Sequence, residues 1–245
     1  MLIESKVNDR IKELCKLKTK KYRDKYEKFL IEGEHIIKEA YLKECLIELI
    51  VLENVKIKLS NFNRITYVTE NVMKELTNMD SIPKVIGVSK KPKQGIIGSK
   101  IIILEDVQDP GNIGTIIRSA VAFNVDTVIM TKGCADIYSS KVIRATQGMI
   151  FNINIIHKEV EDVIGEIRYK DITVYGTRVK RGNDVKTLAK TKKFAIIMGN
   201  EGAGVTKETL KLCDEFITIS MNSKCESLNV GIASSIILYE FDKKV

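Results

Sequence analysis

Apolar and polar positions divide the chain into two rhythms. Over residues 1–88 helical spacing and strand-like runs alternate irregularly. Helical patterns cover about 6–27, 33–44 and 70–78, and strands are expected at "FLI", "LIELIVL", "RITYVT" and "KVIGVS". The stretch 90–100, "KKPKQGIIGSK", carries Pro92, Gly95, Gly98 and four lysines and reads as a linker. From 101 onward short apolar runs alternate with helices: "IIILEDV", "TVIM", "INII", "ITVYGT", "FAIIMG" and "EFITIS". The intervening helices are expected near 113–124, 139–147, 159–169 and 206–213, and a last one over 228–242. These strands show little polar alternation. That is the signature of a mainly parallel sheet with helices on both faces. The expected fold is therefore α/β, with a small α/β domain at 1–95 and a larger one at 99–245.

At 245 residues with 44% hydrophobic content, the chain has enough apolar material for two cores. No apolar stretch approaches the length of a membrane span. Charges from Glu4 onward do not fit a signal peptide. Five widely spread cysteines, an odd number without C-x-x-C, argue against a disulfide framework or a zinc site and for a reducing, cytoplasmic setting. All five are read as packing residues.

The net charge of +8 points to a polyanionic partner. Between Lys16 and Lys28 seven residues are basic and only Asp24 and Glu27 are acidic. Tyr22 and Tyr26 lie inside this run at a spacing that shares a helix face. Lys18, Lys20, Lys21 and Arg23 are accordingly candidates for contact with RNA phosphates, with the tyrosines able to stack on bases. Arg144, in "SSKVIRATQGMIF", is a further candidate for RNA phosphate.

Three stretches in the second half share one design, a strand followed by a polar, glycine-rich turn or loop. In "EDVQDPGNIGTIIRSA" (105–120) Asn112 stands at a helix entrance, and Arg118 lies off the buried stripe of Ile113, Ile116, Ile117 and Ala120. The turn is neither a P-loop nor a dinucleotide fingerprint. In "AIIMGNEGAGV" (195–205) Gly199, Gly202 and Gly204 surround Asn200 and Glu201 with no lysine or arginine. A nucleoside held by backbone groups suits this loop better than a phosphate. In "ITISMNSKCESLNVGIASSIILYE" (217–240) Ser227 is a candidate N-cap for the last helix, with Asn229 in its first turn. Singly, each stretch reads equally well as a structural turn.

In this order and at these separations, the three stretches resemble the three motifs of the SpoU (TrmH-like) class of SPOUT-superfamily RNA methyltransferases. The resemblance covers about 100–245. The segment "KKYRDKYEKFLIEGEHIIKEA" resembles the small substrate-binding α/β domain that precedes the catalytic domain in many members. One departure is visible: the third motif commonly begins Ile-Pro-Met, and here it reads Ile219-Ser220-Met221.

The resemblance implies a deep trefoil knot in the second domain, a homodimer, and methyl transfer to a ribose 2′-hydroxyl of RNA, ribosomal RNA before transfer RNA. It implies S-adenosylmethionine held by backbone groups around Thr177, Gly199, Ile219, Met221 and Leu228. It also nominates Arg118 to activate the hydroxyl, with Asn112, Glu201, Ser227 and Asn229 orienting the reacting groups. A guanidinium does not give up its proton, so Arg118 is equally well read as a clamp on the neighbouring phosphate, with that phosphate or a water accepting the proton. Neither histidine, His35 or His157, lies in a motif. No metal ligand cluster is present, and transfer from a sulfonium requires no Lewis acid. Two other readings remain: an α/β enzyme with a different nucleotide cofactor, and an RNA-binding protein with an inactive methyltransferase domain.

Overall fold

The computed structural model describes residues 2–57, 59, 62–189 and 191–242. It divides into two compact units, Met1–Lys93 with Asp136–Phe151, and Gln94–Ala135 with Asn152–Val245. Asp136–Phe151 lies inside the stretch expected for the second domain, yet it belongs to the first unit.

In the first unit the strands are β1 (Leu2–Ile3), β2 (Lys28–Glu32), β3 (Leu46–Leu52), β4 (Ile65–Val68) and β5 (Val85–Lys90). They form one mixed sheet in the order β1-β4-β3-β5-β2. The helices are α1 (Asp9–Lys16), α2 (Lys20–Tyr26), α3 (Glu34–Leu42), α4 (Glu70–Leu76) and, from the inserted segment, α6 (Ser140–Thr146). The single helix expected over 6–27 is two. Asn8 caps α1 by accepting from the Arg10 amide at 2.9 Å. Leu17–Thr19 then turn the chain, and α2 ends where Glu27 adopts a left-handed conformation. Ile11 and Leu14 of α1 and Leu17 of the turn enter a core with Ile50, Val68, Val72, Met73, Leu76, Ile86 and Val88.

In the second unit β6 (Lys100–Leu104), β7 (Thr127–Met130), β8 (Asn154–His157), β9 (Thr173–Thr177), β10 (Asn183–Asp184), β11 (Phe194–Met198) and β12 (Glu215–Thr218) form a sheet in the order β10-β12-β9-β11-β6-β7-β8. Every pairing is parallel. The helices are α5 (Pro110–Ala122), α7 (Val160–Tyr169), α8 (Lys207–Leu210) and α9 (Val230–Asp242). Strands buried on both faces need apolar residues at every position. β6 meets this with Ile101, Ile102, Ile103 and Leu104, all fully buried. Ile101 and Ile103 pack with Val163, Ile164 and Ile167 of α7. On α9, Phe241 meets Phe194 and Tyr175, with ring centroids 4.8 and 5.2 Å apart.

The expected linker is tied down on the side of the second unit. The Gly95 amide donates to Asn154 Oδ1, and the amides of Ser99 and Lys100 both donate to Asp126 Oδ2. All five cysteines are free thiols. Cys225 is exposed, which corrects its reading as a packing residue. Among the described residues no helix is long and apolar enough to cross a membrane.

Candidate active site

Parallel strands place all their carboxyl ends on one edge, and there the three sequence motifs meet. Pairing of Met198 with Leu104 aligns the ends of β11 and β6. The chain leaves β6 for β7 on one side, while β11 flanks the other, so the strand order reverses at this crevice.

The first motif opens α5 earlier than expected. Pro110 is the first helical residue, and Asp109 rather than Asn112 is the cap, its Oδ1 accepting from the Asn112 amide at 2.9 Å. This leaves the Asn112 side chain free to work across the crevice. Its Nδ2 donates to Glu201 Oε1 at 3.0 Å, and its Oδ1 accepts from Asn229 Nδ2 at 2.8 Å. Glu201 also accepts the amides of Asp109 at 2.9 Å and Gln108 at 3.2 Å. Burial alone would raise the Glu201 pKa; the hydrogen bonds from Asn112 and the turn amides outweigh it and hold the carboxyl below its usual range. Asn229, rather than Ser227, caps the last helix, its Oδ1 accepting from the amides of Gly231 and Ile232 at 2.9 and 3.2 Å. One chain of hydrogen bonds, Glu201–Asn112–Asn229, thus joins the three motifs.

Arg118 is exposed on α5, and among the described residues no ion-pair partner holds it. α5 itself is fixed against α9. Ser119 and Ser235 hydroxyls meet at 2.7 Å, and a Cβ at Gly231 would lie 3.2 Å from Thr115 Cβ, so glycine permits the close approach.

Beside the hydrogen-bonded chain lies a cavity of about 670 Å³. Thr177, Gly199, Ile219, Met221 and Leu228 all line it, as do Glu201, Ser227 and Asn229; Arg118 and Asn112 do not. Ile217, Val230, Ala233 and Ile237 add apolar wall. This size and lining suit a nucleoside. The loop 199–205 supplies no cation, and its polar surface is main chain together with Asn200 and Glu201. Asn200 shapes it: its Oδ1 accepts the amides of Gly202 and Ala203, and its Nδ2 donates to Asp106 O at 2.9 Å. At Gly199 an added Cβ would fall 2.1 Å from main-chain atoms of Gly204 and Val205, so the loop closes only around glycine. These residues fit S-adenosylmethionine, an adenosine with a charged but phosphate-free tail.

Three contributors were not among the candidates drawn from the sequence. Buried Glu105 accepts from Thr206 N, Thr206 Oγ1 and Thr209 Oγ1, stapling the end of β6 to the start of α8. Arg178 lines the cavity with its guanidinium 3.6 Å from the Phe216 ring centroid. Asp109 carried a visible signal, an aspartate directly before a proline that opens a helix.

The candidate RNA contacts of the first unit separate. Lys20 and Lys21 are exposed. Lys18 is half-buried and donates to the carbonyls of Glu75 and Thr77. Arg23 is buried, with its guanidinium on the carbonyls of Leu17 and Lys18 and on Asp136, so it is not a surface contact. Tyr22 and Tyr26 stack on each other at 5.9 Å. Arg144 lies 3.7 Å from Glu32. His35 and His157 are exposed, and neither lines the cavity beside the three motifs.

Residues 99–239 match the SpoU rRNA Methylase family, and residues 8–87 match the MRM3-like substrate binding domain. The chain belongs to the SpoU rRNA methylase family. Among individual relatives, the 23S rRNA (guanosine(2553)-2′-O)-methyltransferase RlmP of Bacillus subtilis is 33% identical over 97% of both chains. The crystal structure of an rRNA methyltransferase from Sinorhizobium meliloti is 28% identical, with a TM-score of 0.88 over 99% of this chain and 97% of that one. The AdoMet-bound form of that protein superposes at 0.85 over the same shares.

Proposed function

We propose that this protein transfers a methyl group from S-adenosylmethionine to a ribose 2′-hydroxyl of RNA, with ribosomal RNA as the substrate class. The observation that carries the reading is the Glu201–Asn112–Asn229 chain beside a cofactor-sized cavity, with an exposed arginine, without an ion-pair partner among the described residues, two turns into the helix that Asp109 caps. The relatives' names, for 23S rRNA and rRNA methyltransferases, support the ribosomal choice.

S-adenosylmethionine supplies an electrophilic methyl; its carbon–sulfur bond breaks as the carbon–O2′ bond forms, leaving a neutral thioether. The protein's task is to align the ribose and to see that O2′ loses its proton. Arg118 stays protonated and clamps the phosphate next to the target ribose, so that phosphate or a water accepts the proton. Asn112 and Asn229 fix the start of α5 and of α9, and Glu201 holds the turn between β6 and α5. Ser227 and the main chain around Thr177, Gly199, Ile219, Met221 and Leu228 seat the cofactor.

Residues 1–95 handle the substrate and 99–245 the transfer, the latter with the trefoil knot that the family resemblance implies. A second copy of the chain docks on α9, where Ile232 and Tyr239 are 53% and 47% exposed. The reaction belongs in the cytoplasm, with its RNA.

The test is transfer of labelled methyl from S-adenosylmethionine to unmodified ribosomal and transfer RNA, followed by nucleoside analysis. A 2′-O-methylated nucleoside from the ribosomal pool is expected. Cofactor binding with no transfer to free RNA or to ribosomal subunits would favour an inactive RNA-binding domain instead.

A further inference from the structure

A second cavity, of about 430 Å³, lies within the first unit and belongs to none of the three motifs. Its walls include Ile36, Met79, Pro83 and Val85, which offer apolar surface; Glu32, Glu34, His35, Lys84, Arg144 and Gln147 supply its polar groups.

Two of those groups are anomalous. Glu32 is nine-tenths buried at the end of β2. Its Oε1 is satisfied, accepting from Thr77 Oγ1 at 3.1 Å and the Asn78 amide at 3.3 Å. Its Oε2 is buried with no hydrogen-bond donor. Arg144 Nη1 is buried with no acceptor. The two orphans face each other at 3.7 Å, attracted but too far apart to bond. Buried orphan atoms are costly and therefore call for an explanation. Here an acceptor and a donor stand side by side in the wall of a slot large enough for a nucleoside. At the rim α3 begins after Gly33 with no side-chain cap, leaving amides for a ribose oxygen beside the Glu34 carboxylate.

We infer that this cavity captures an unstacked guanine of the RNA substrate. Guanine presents O6 as an acceptor beside N1–H and N2–H as donors. Arg144 Nη1 donates to O6, and Glu32 Oε2 accepts from the N1–H and N2–H edge. Adenine and cytosine offer that carboxylate only an amino group, and uracil only an imide N–H flanked by carbonyl oxygens. Arg144 was expected to hold phosphate; its partner here is a base edge, read in the manner of other single-stranded RNA sites. The inference rests on the RNA reading above, but its test does not require methyl transfer.

Full-length protein with labelled isoleucine and methionine methyls is titrated with mononucleotides. Guanosine monophosphate shifts the Ile36 and Met79 resonances at lower concentration than adenosine, cytidine or uridine monophosphate. Inosine monophosphate, which lacks the N2 amine, binds about tenfold more weakly. Arg144→Met and Glu32→Gln each lose the preference, the second keeping an acceptor for Thr77 and Asn78. Equal shifts by all the nucleotides, or shifts confined to Met198 and Ile217 of the other cavity, would overturn the inference. The wild-type series alone decides this if a variant does not fold. Guanine capture without methyl transfer would leave the pocket standing and remove the proposed reaction; transfer without capture would do the reverse.

Discussion

The Asn229 amide donates to the Asn112 side-chain carbonyl across 2.8 Å, joining residues 117 positions apart in the chain. Each asparagine has a second engagement: Asn112 donates to Glu201, and Asn229 caps α9. Removing either therefore disturbs two motifs at once.

Asn229→Ala loses the helix cap and the bridge together. A cap alone contributes about 1 kcal/mol. For a chain of this size the melting temperature should fall by about 3 °C, the turnover number should drop, and cofactor affinity should weaken as well, because Asn229 also lines the cavity. Calorimetry and single-turnover transfer would measure the first two effects; unchanged turnover would show that the bridge serves stability only.

Arg118→Ala should abolish transfer with almost no loss of stability. The side chain is exposed and has no ion-pair partner among the described residues, and such substitutions lie within about 0.5 kcal/mol. S-adenosylmethionine titration should give wild-type affinity, because Arg118 does not line the cavity.

Glu201 makes a sign-specific pH prediction. Its folded pKa is depressed, so its stabilising contribution is complete above the unfolded value and is lost as pH falls through the folded one. The wild type should exceed Glu201→Gln in stability at neutral pH, and the gap should narrow as pH falls below the ordinary glutamate range. Glu201 is largely solvated, so the gap should be small. Urea titrations of both proteins from pH 7 to 3 would test this; a gap that widened on acidification would reverse the assignment.

Lys20 and Lys21 should part company with Arg23. Neutralising both lysines should weaken RNA binding and lower its salt slope by roughly two, without altering the fold. Arg23→Ala should instead destabilise the first unit by about 3 kcal/mol, because it strands Asp136 and two carbonyls in a buried network. Filter binding across a salt series, paired with thermal melts, separates the two roles.

Gly199→Ala should prevent the 199–205 loop from closing, since the methyl would overlap main chain rather than a movable side chain. Loss of cofactor binding alongside a lowered melting temperature is the expected result. A well-folded, cofactor-binding variant would show that the loop opens more readily than its geometry implies.

Much of this was legible locally. The strands of the second unit are unbroken apolar runs, and such runs mark strands buried on both faces. Helix starts were less legible, because Asp109 and Asn229, rather than Asn112 and Ser227, supply the caps. The break between α1 and α2 was invisible to periodicity, since Leu17 continues the apolar stripe through the turn. Arg23 looked like its basic neighbours because the aspartate that buries it lies 113 residues on. Glu32 gave no signal at all: an unmet carboxylate oxygen is a property of packing, not of sequence.

The Glu105 staple and the Glu201 bridge together fix the timing of assembly. The Asp109 amide waits for a partner 92 residues downstream, and Glu105 for one 101 downstream. At a synthesis rate of about 5–20 residues per second, the first motif emerges roughly 5–20 s before the groups that complete it. A nascent chain therefore holds an unfinished crevice edge until the second and third motifs have been made.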